Sequence, residues 1–495
     1  MTPLPVLTAL ILLPLAGAVG LIPFRKAETA AKWLALGVAV LELLVACSTW
    51  SAAGAPMTAA APKGFFLYED FAWIESLGIR FTVGMDGISL LLTIMTALLT
   101  VIAMLASWQT VNHRTTLHYM LLLVMESSIL GVFLALDLFL FYLFWEAMLI
   151  PMFFLIGIWG HGRNIYSAIK FFVFTLAGSL LMLLAIIGIY LIHGRETGTY
   201  TFGLSALLGT SLDPTVGLWL YAAFLLSFAV KFPLVPFHTW LPDAHTDAPT
   251  AGSIDLAGLL LKTGAYGLIR FGYPLFPAAA RTLTPLLLIM AVTGILYTSW
   301  IAFAQKDMKR LVAYSSVGHM GFVALGIAAW TPVALSGSIL QMVSHGITTS
   351  ALFAMVGMLQ SRTDTREISA YGGLWGKVPV ISCFFMIFAM ASAGLPGLNN
   401  FVGEFLILTG SYQVAQTATI LAFLGLILSL IYTVRLLQDV LFQEERQVVA
   451  ISDSTAIENL MLTILALGVL YIGLHPGPLL DMLALPVQIL TGGAP

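Results

Sequence analysis

Glu146, Lys231 and Lys262 stand inside long apolar stretches, where a side-chain charge is hardest to keep. Glu146 and Lys231 are 85 residues apart, and Lys231 and Lys262 are 31 apart. His319 and Glu404 repeat the first interval, and Glu404 and Arg435 the second, so one offset of 173 residues maps trio onto trio. A charge at the centre of a membrane helix costs roughly 2.5–3.5 kcal/mol on insertion scales, so such groups usually mark an ion or proton route. Repetition suggests two half-channels built from a duplicated unit. The copy is uneven, since Glu146 falls on His319 and Lys262 on Arg435.

A buried carboxylate or a buried lysine alone tends to neutralise, whereas the two facing each other stay charged. A Glu146–Lys231 pair is therefore a switch: parting it frees the lysine's proton, and closing it recharges the lysine. The alternative is a static ion pair joining two helices. Lys262 is the natural next acceptor, and Asp255, seven residues earlier, lies two helical turns away, about 10 Å along the axis. His319 and His345 fall on consecutive spans and suit a relay, because imidazole takes up and gives up protons near neutrality. Packing roles, or axial ligation of a haem, are the rival uses of these histidines. Glu404 would end the row as exit group, with Arg435 tuning it. Tyr314 and Lys309 lie where a second half-channel could begin. Glu126 and Lys170 are placed to support the Glu146–Lys231 pair, Asp137 reads as interfacial, and Glu42 has no assignable role. His238, Asp243, His245 and Asp247 crowd one turn, but Pro242 separates the histidines, which favours a proton-collecting or structural turn over a zinc site.

The elements that hold these groups are membrane helices. The chain has 495 residues, of which 59% are hydrophobic and 9% charged, against about 25% charged in soluble domains. Apolar runs of about 20 residues, enough to cross ~30 Å of hydrocarbon, recur with centres near 13, 42, 95, 127, 149, 179, 225, 260, 293, 320, 347, 392, 429 and 464. This is an all-α polytopic membrane protein of about 14 transmembrane helices. The first run, Pro3 to Phe24, lacks a basic leader and a cleavage site and reads as a retained helix. Arg25, Lys26, Lys32, Arg114, Arg163, Lys306, Lys309, Arg310, Arg362, Arg366 and Lys377 all fall in loops on one side. By the positive-inside rule that side is cytoplasmic and both termini face out. The main polar excursions are Ser51–Gly84, Gly194–Pro214 and Gln438–Ser454; the last, with Glu444, Glu445 and Arg446, reads as a solvated connector. Cys47 and Cys383 are too few and too far apart for a cluster or a structural disulfide.

Two spans should be broken. Pro233 and Pro236 follow Lys231, and Gly394, Pro396 and Gly397 precede Glu404. Proline removes a backbone donor and clashes with the preceding turn. Opened backbone at membrane depth survives only inside protein or beside a wet cavity, and broken helices at matching positions of two halves point to a transport site.

These residues lie in stretches that closely resemble the antiporter-like membrane subunits of respiratory complex I, of the NuoM (ND-four) type. The stretches are Val-Gly-Met-Asp-Gly-Ile-Ser-Leu (83–90), Phe-Trp-Glu-Ala-Met-Leu-Ile-Pro (144–151), Lys-Phe-Pro-Leu-Val-Pro-Phe-His-Thr-Trp-Leu-Pro-Asp-Ala-His (231–245), Lys-Arg-Leu-Val-Ala-Tyr-Ser-Ser-Val-Gly-His-Met-Gly (309–321) and Asn-Phe-Val-Gly-Glu-Phe (400–405). The resemblance implies three N-terminal helices (1–110), two inverted five-helix repeats (111–275 and 276–440) with helices 7 and 12 broken, and a connector with helix 14 (441–495). It implies that Glu146 and Lys231 switch, that Lys262, His319 and His345 continue a central axis, and that Glu404 ends it. Arg435, His238 and Asp255 join this set on spacing and placement alone.

The resemblance further implies a proton-translocating subunit of an NADH (or related donor):quinone oxidoreductase. It has no cofactor on this chain; NAD, FMN, iron–sulfur clusters and quinone belong to other subunits. The partners are other membrane-arm subunits, including neighbouring antiporter-like ones, with lipids and protons and no nucleic acid. The expected location is a bacterial inner membrane, with thylakoid or organelle membranes as alternatives. An Mrp-type cation/proton antiporter subunit is the alternative function, and a haem-bearing carrier or a passive scaffold stand further off.

Overall fold

Uninterrupted apolar sequence has one way to satisfy its backbone without water, the helix, and the computed structural model is built almost wholly of helices. It describes residues 5–54, 61–444 and 451–492. Glu445 and Arg446 of the connector lie outside the described residues. Among the described residues, twelve helices are long and apolar enough to cross a membrane. Two further regions are helical but interrupted. Residues 250–275 alternate α-helix with π turns at Leu256–Leu260 and Leu268–Gly272. Pro379–Ser392 and Asn399–Tyr412 are two short helices separated by an opened segment.

Both expected breaks are present. Helix Pro214–Lys231 stops at Lys231, and the chain turns through the prolines before resuming at Trp240–Asp247. The freed Val230 carbonyl accepts from the Trp240 indole at 2.8 Å, so the opened end is not left unpaired. In the second break, Gly394 and Gly397 have φ of +76° and +91°, a conformation that costs glycine little and other residues more. Asn399 then ties the restart to the neighbouring helix Pro332–Thr363: its Nδ2 donates to the Ser344 carbonyl (2.9 Å) and its Oδ1 accepts from Thr348 (3.0 Å).

The all-α membrane architecture carries one small addition outside its spans. Within the Ser51–Gly84 excursion, β1 (Leu67–Ile74) and β2 (Ile79–Met85) form an antiparallel hairpin. Leu-Tyr-Glu-Asp-Phe-Ala-Trp-Ile mixes aromatic and polar residues without helical periodicity, and Gly78 takes the left-handed turn position. Arg80 and Asp70 pair on the hairpin at 2.8 Å. β2 runs into Asp86, whose carboxylate accepts from the Ile88 and Ser89 amides and caps helix Gly87–Ala106.

Burial orders the helices. Helix Pro332–Thr363 has 100% of its apolar window inside the protein and Met308–Ala329 94%, against 28% for Glu28–Ala53 and 33% for Val6–Phe24. The histidine-bearing helices therefore form the centre, and the first two lie at the rim. Cys47 and Cys383 are free and exposed.

Candidate functional site

Lys262, His345, His319 and Glu404 come from four separate elements and meet in the buried centre. The Lys262 Nζ lies 2.8 Å from His345 Nδ1 and also donates to the Ala257 carbonyl inside the first π turn. The His345 and His319 rings are 5.6 Å apart between centroids. His319 Nδ1 is 2.8 Å from Glu404 Oε1, and its Nε2 is 3.2 Å from the Ser392 hydroxyl. All four of these titratable residues are 2% exposed or less. His345 Nε2 has no hydrogen-bond partner, so one ring nitrogen remains available.

Glycine lets this centre close up. A Cβ on Gly403 would fall 2.8 Å from the Cβ of Gln341 and 2.9 Å from its Cα. Without one, the Glu404 helix lies against helix Pro332–Thr363, and Gln341 Nε2 donates to Glu404 Oε1 at 3.0 Å. One carboxylate oxygen thus receives both His319 and Gln341, two hydrogen bonds in a water-poor site.

Glu146 and Lys231 are arranged differently. Lys231 is 1% exposed, and its ammonium faces the rings of Trp145 (5.5 Å) and Phe171 (5.6 Å). It has no hydrogen-bond partner, and neither has Glu146 Oε1. The two feel each other's charge, but no ion pair within 4.0 Å joins them, so the pair read as a switch stands open. Lys231 is the last residue of its helix, where the helix dipole favours a cation. Trp145 and Phe171 add cation–π attraction in place of the carboxylate.

Several expected placements differ. Arg435 is 55% exposed, pairs with Asp439 at 3.6 Å and covers the Phe303 ring at 4.6 Å, so it is a surface residue and not a neighbour of Glu404. Lys170 pairs with Asp243 at 2.6 Å, away from Glu146. Glu126 is buried without a partner, and the charges it feels are those of Glu42 and Asp255. Asp255 is buried too, but the intervening π turn widens the helix and removes the simple two-turn register with Lys262.

The crowded turn is a brace. Asp243 also receives Arg310 (3.3 Å), Asp247 accepts from Ser167 (2.6 Å), and His245 stacks on Phe353 at 4.5 Å. His238 meets the rings of Tyr297 and Tyr314. Among the described residues no group of three histidine, cysteine or acidic side chains is placed to hold a metal ion.

Gln341, Ser392 and Arg270 carry little signal in the sequence. Gln341 and Ser392 are common polar residues whose value depends on contact with Glu404 and His319. Arg270 and Asp86 form a buried ion pair at 2.5 Å between elements 184 residues apart. An arginine within Gly-Leu-Ile-Arg-Phe-Gly was the available clue.

The same arrangement of helices occurs in known proteins. The family described as "NADH:quinone oxidoreductase/Mrp antiporter, TM" matches residues 135–431. The chain is 44% identical to NADH-quinone oxidoreductase subunit M of Pseudomonas aeruginosa over 97% of this chain and 96% of that one. A chain of respiratory complex I from Thermus thermophilus superposes with a TM-score of 0.87 and 32% identity, covering 98% of this chain and 100% of that one. The Mrp complex from Dietzia shares the fold (TM-score 0.84, 98% of this chain and 52% of that one) at 24% identity. With such identity spread over nearly the whole length, the chain belongs to the NADH-quinone oxidoreductase subunit M family, the antiporter-like membrane subunits of respiratory complex I.

Proposed function

We propose that this subunit carries protons across the membrane along Lys262, His345, His319 and Glu404, driven by quinone reduction in other subunits. The observation that carries the reading is the buried row itself: Lys262 within hydrogen-bond distance of His345, and His319 within hydrogen-bond distance of Glu404. Buried ionisable groups in direct sequence across four elements are costly, and a purely structural role would be met by apolar packing. The open Glu146–Lys231 arrangement suits a switch in its parted state. When the carboxylate swings back, the ammonium is stabilised, and when it leaves, the proton is free to pass to Lys262. His345 and His319 hand it on through their two nitrogens, and Glu404 releases it to the outer side.

The surrounding architecture follows from the same reading. Counting residues 250–275 and the 379–412 pair as one crossing each makes fourteen. Residues 111–275 and 276–440 then form two inverted five-helix repeats, flanked by 1–110 and 441–495. Both termini face outward and the basic loops face the cytoplasm of a bacterial cell. NAD, FMN, iron–sulfur clusters and quinone reside on partner subunits, and neighbouring antiporter-like subunits flank this one.

The test is Lys262→Met in the assembled complex, reconstituted in vesicles. NADH oxidation coupled to quinone should persist at a reduced rate while protons pumped per electron fall. An unchanged proton yield would overturn the reading.

A further inference from the structure

Three buried carboxyl groups stand outside this row. Glu42 and Glu126 are wholly buried and none of their four oxygens has a hydrogen-bond partner; Asp255 is 1% exposed with Oδ1 unpaired. They belong to helices Glu28–Ser48, Thr115–Leu134 and Thr250–Asp255, and Glu126 is within electrostatic reach of both of the others. Among the described residues no lysine, arginine or histidine forms an ion pair with any of them. Counting about 1.5 Å of rise per residue from the helix ends in the basic loops puts Glu42 about 21 Å and Glu126 about 16 Å into the membrane.

A second feature points the same way. Helix Gly87–Ala106 packs against all three carboxyl-bearing helices. Its Thr93, Thr96 and Thr100 fall on one face by their spacing, and the Thr100 hydroxyl borders Glu126. Thr93 is wholly buried and its hydroxyl has no partner. Hydroxyls on such a face can join hydrogen-bonded carboxyl groups and waters. At the basic end a cavity of about 740 Å³ opens beside Pro249 and Thr250, one short helix ahead of Asp255.

A carboxyl group within electrostatic reach of two others, all buried and without a cation, cannot be ionised together with them in a low-dielectric interior. They keep protons, and a buried acid beside a lysine relay is a proton store. Asp255 and Lys262 flank one π turn, whose Ala257 carbonyl the lysine contacts, and such turns recur at functional sites.

We propose that Glu42, Glu126 and Asp255 form a lateral branch that holds protons and returns them to Lys262 through Asp255. The inference rests on the relay reading above. In each transfer the Asp255 carboxyl gives its proton to the neutral Lys262 amine, leaving carboxylate and ammonium. Asp255 is then reprotonated from Glu126, and Glu126 from Glu42, and the store refills by the same transfers in reverse when the recharged Lys262 ammonium gives its proton back to Asp255.

The test uses the assembled complex in lipid vesicles with Glu42→Gln, Glu126→Gln and Asp255→Asn made singly. Infrared spectra in light and heavy water read the carbonyl stretch given only by protonated carboxyl groups. Glu126→Gln should delete one such band and displace those of its neighbours. Asp255→Asn should lower the pumping rate several-fold, and Glu42→Gln should lower it less. If Glu126→Gln fails to assemble, Glu126→Asp keeps the acid and should move the band instead. Bands unchanged in every variant overturn the branch. Bands lost with full pumping overturn its feed to Lys262 while the row stands, whereas full pumping in Lys262→Met overturns the row itself.

Discussion

His319 Nδ1 and Glu404 Oε1 lie 2.8 Å apart across 85 residues of sequence, both buried, while Glu146 and Lys231, at the same interval, are not joined by an ion pair. The two equally spaced pairs thus differ: one contact is closed and one is open. The asymmetry has a local cause. Glu404 is drawn to His319 together with Gln341, whereas Lys231 is held by the faces of two aromatic rings.

Glu404→Gln should leave the complex assembled, since glutamine can still meet Gln341 and His319. Proton release should slow by roughly a hundredfold, the usual contribution of a positioned acid or base. His319→Gln should do the same with a weaker effect on assembly than on pumping. Dye-monitored acidification of vesicles against NADH consumption separates the two quantities, and tight coupling in both variants would count against the row.

Because Glu146 and Lys231 are not paired, Glu146→Gln should change thermal stability by less than about 1 kcal/mol, far from the loss expected on breaking a closed buried pair. Pumping should fall all the same, because the parted arrangement can no longer close. Melting of the purified complex, read beside its proton yield, checks both halves. A large stability loss would mean that the closed pair dominates.

Asp86 and Arg270 are a different case, a short buried ion pair that also caps helix Gly87–Ala106. Arg270→Met should destabilise by about 3–5 kcal/mol, since it leaves a carboxylate buried without its partner. Asp86→Asn combined with Arg270→Met should recover part of that loss. A double-mutant cycle on complex yield and melting measures the coupling, and additive effects would show the pair to be incidental.

The hairpin should be sensitive to acid. Burial works against the Asp70 carboxylate, but hydrogen bonds from Arg80 and Thr82 outweigh it and hold the group below the usual carboxylate range. A lowered folded value gives stability that is present above the ordinary range and lost as pH falls through the folded one. Hydrogen exchange of the β1 and β2 amides should therefore accelerate below about pH 4, and Asp70→Asn should abolish that pH dependence. The pair is largely solvent-facing, so the effect stays local.

Much of the site is legible before folding because hydrocarbon is an unforgiving solvent. Lys231, Lys262 and Glu404 stand out since charges are expensive among apolar residues, and Pro233, Pro236, Gly394 and Gly397 announce where helices open. The same signal is silent on partners. Arithmetic places Arg435 at the position equivalent to Lys262, beside Glu404, but the folded helix turns it to the surface, where Phe303 and Asp439 receive it. Lys170 looks like a neighbour of Glu146 and instead braces Asp243.

One-dimensional pattern is enough to specify a polytopic helical protein, its breaks and the buried ionisable residue types within it, because burial cost and backbone hydrogen bonding act on each segment independently. Contact is another matter. The Lys262–His345 and His319–Glu404 junctions, the parted Glu146–Lys231 pair, and the gathering of Glu42, Glu126 and Asp255 all depend on how helices far apart in sequence rotate and approach. Those rotations are set by small residues such as Gly403, by Asn399 at the second break and by the π turn before Lys262. Only three-dimensional packing, in which every helix constrains its neighbours at once, decides which buried charge meets which.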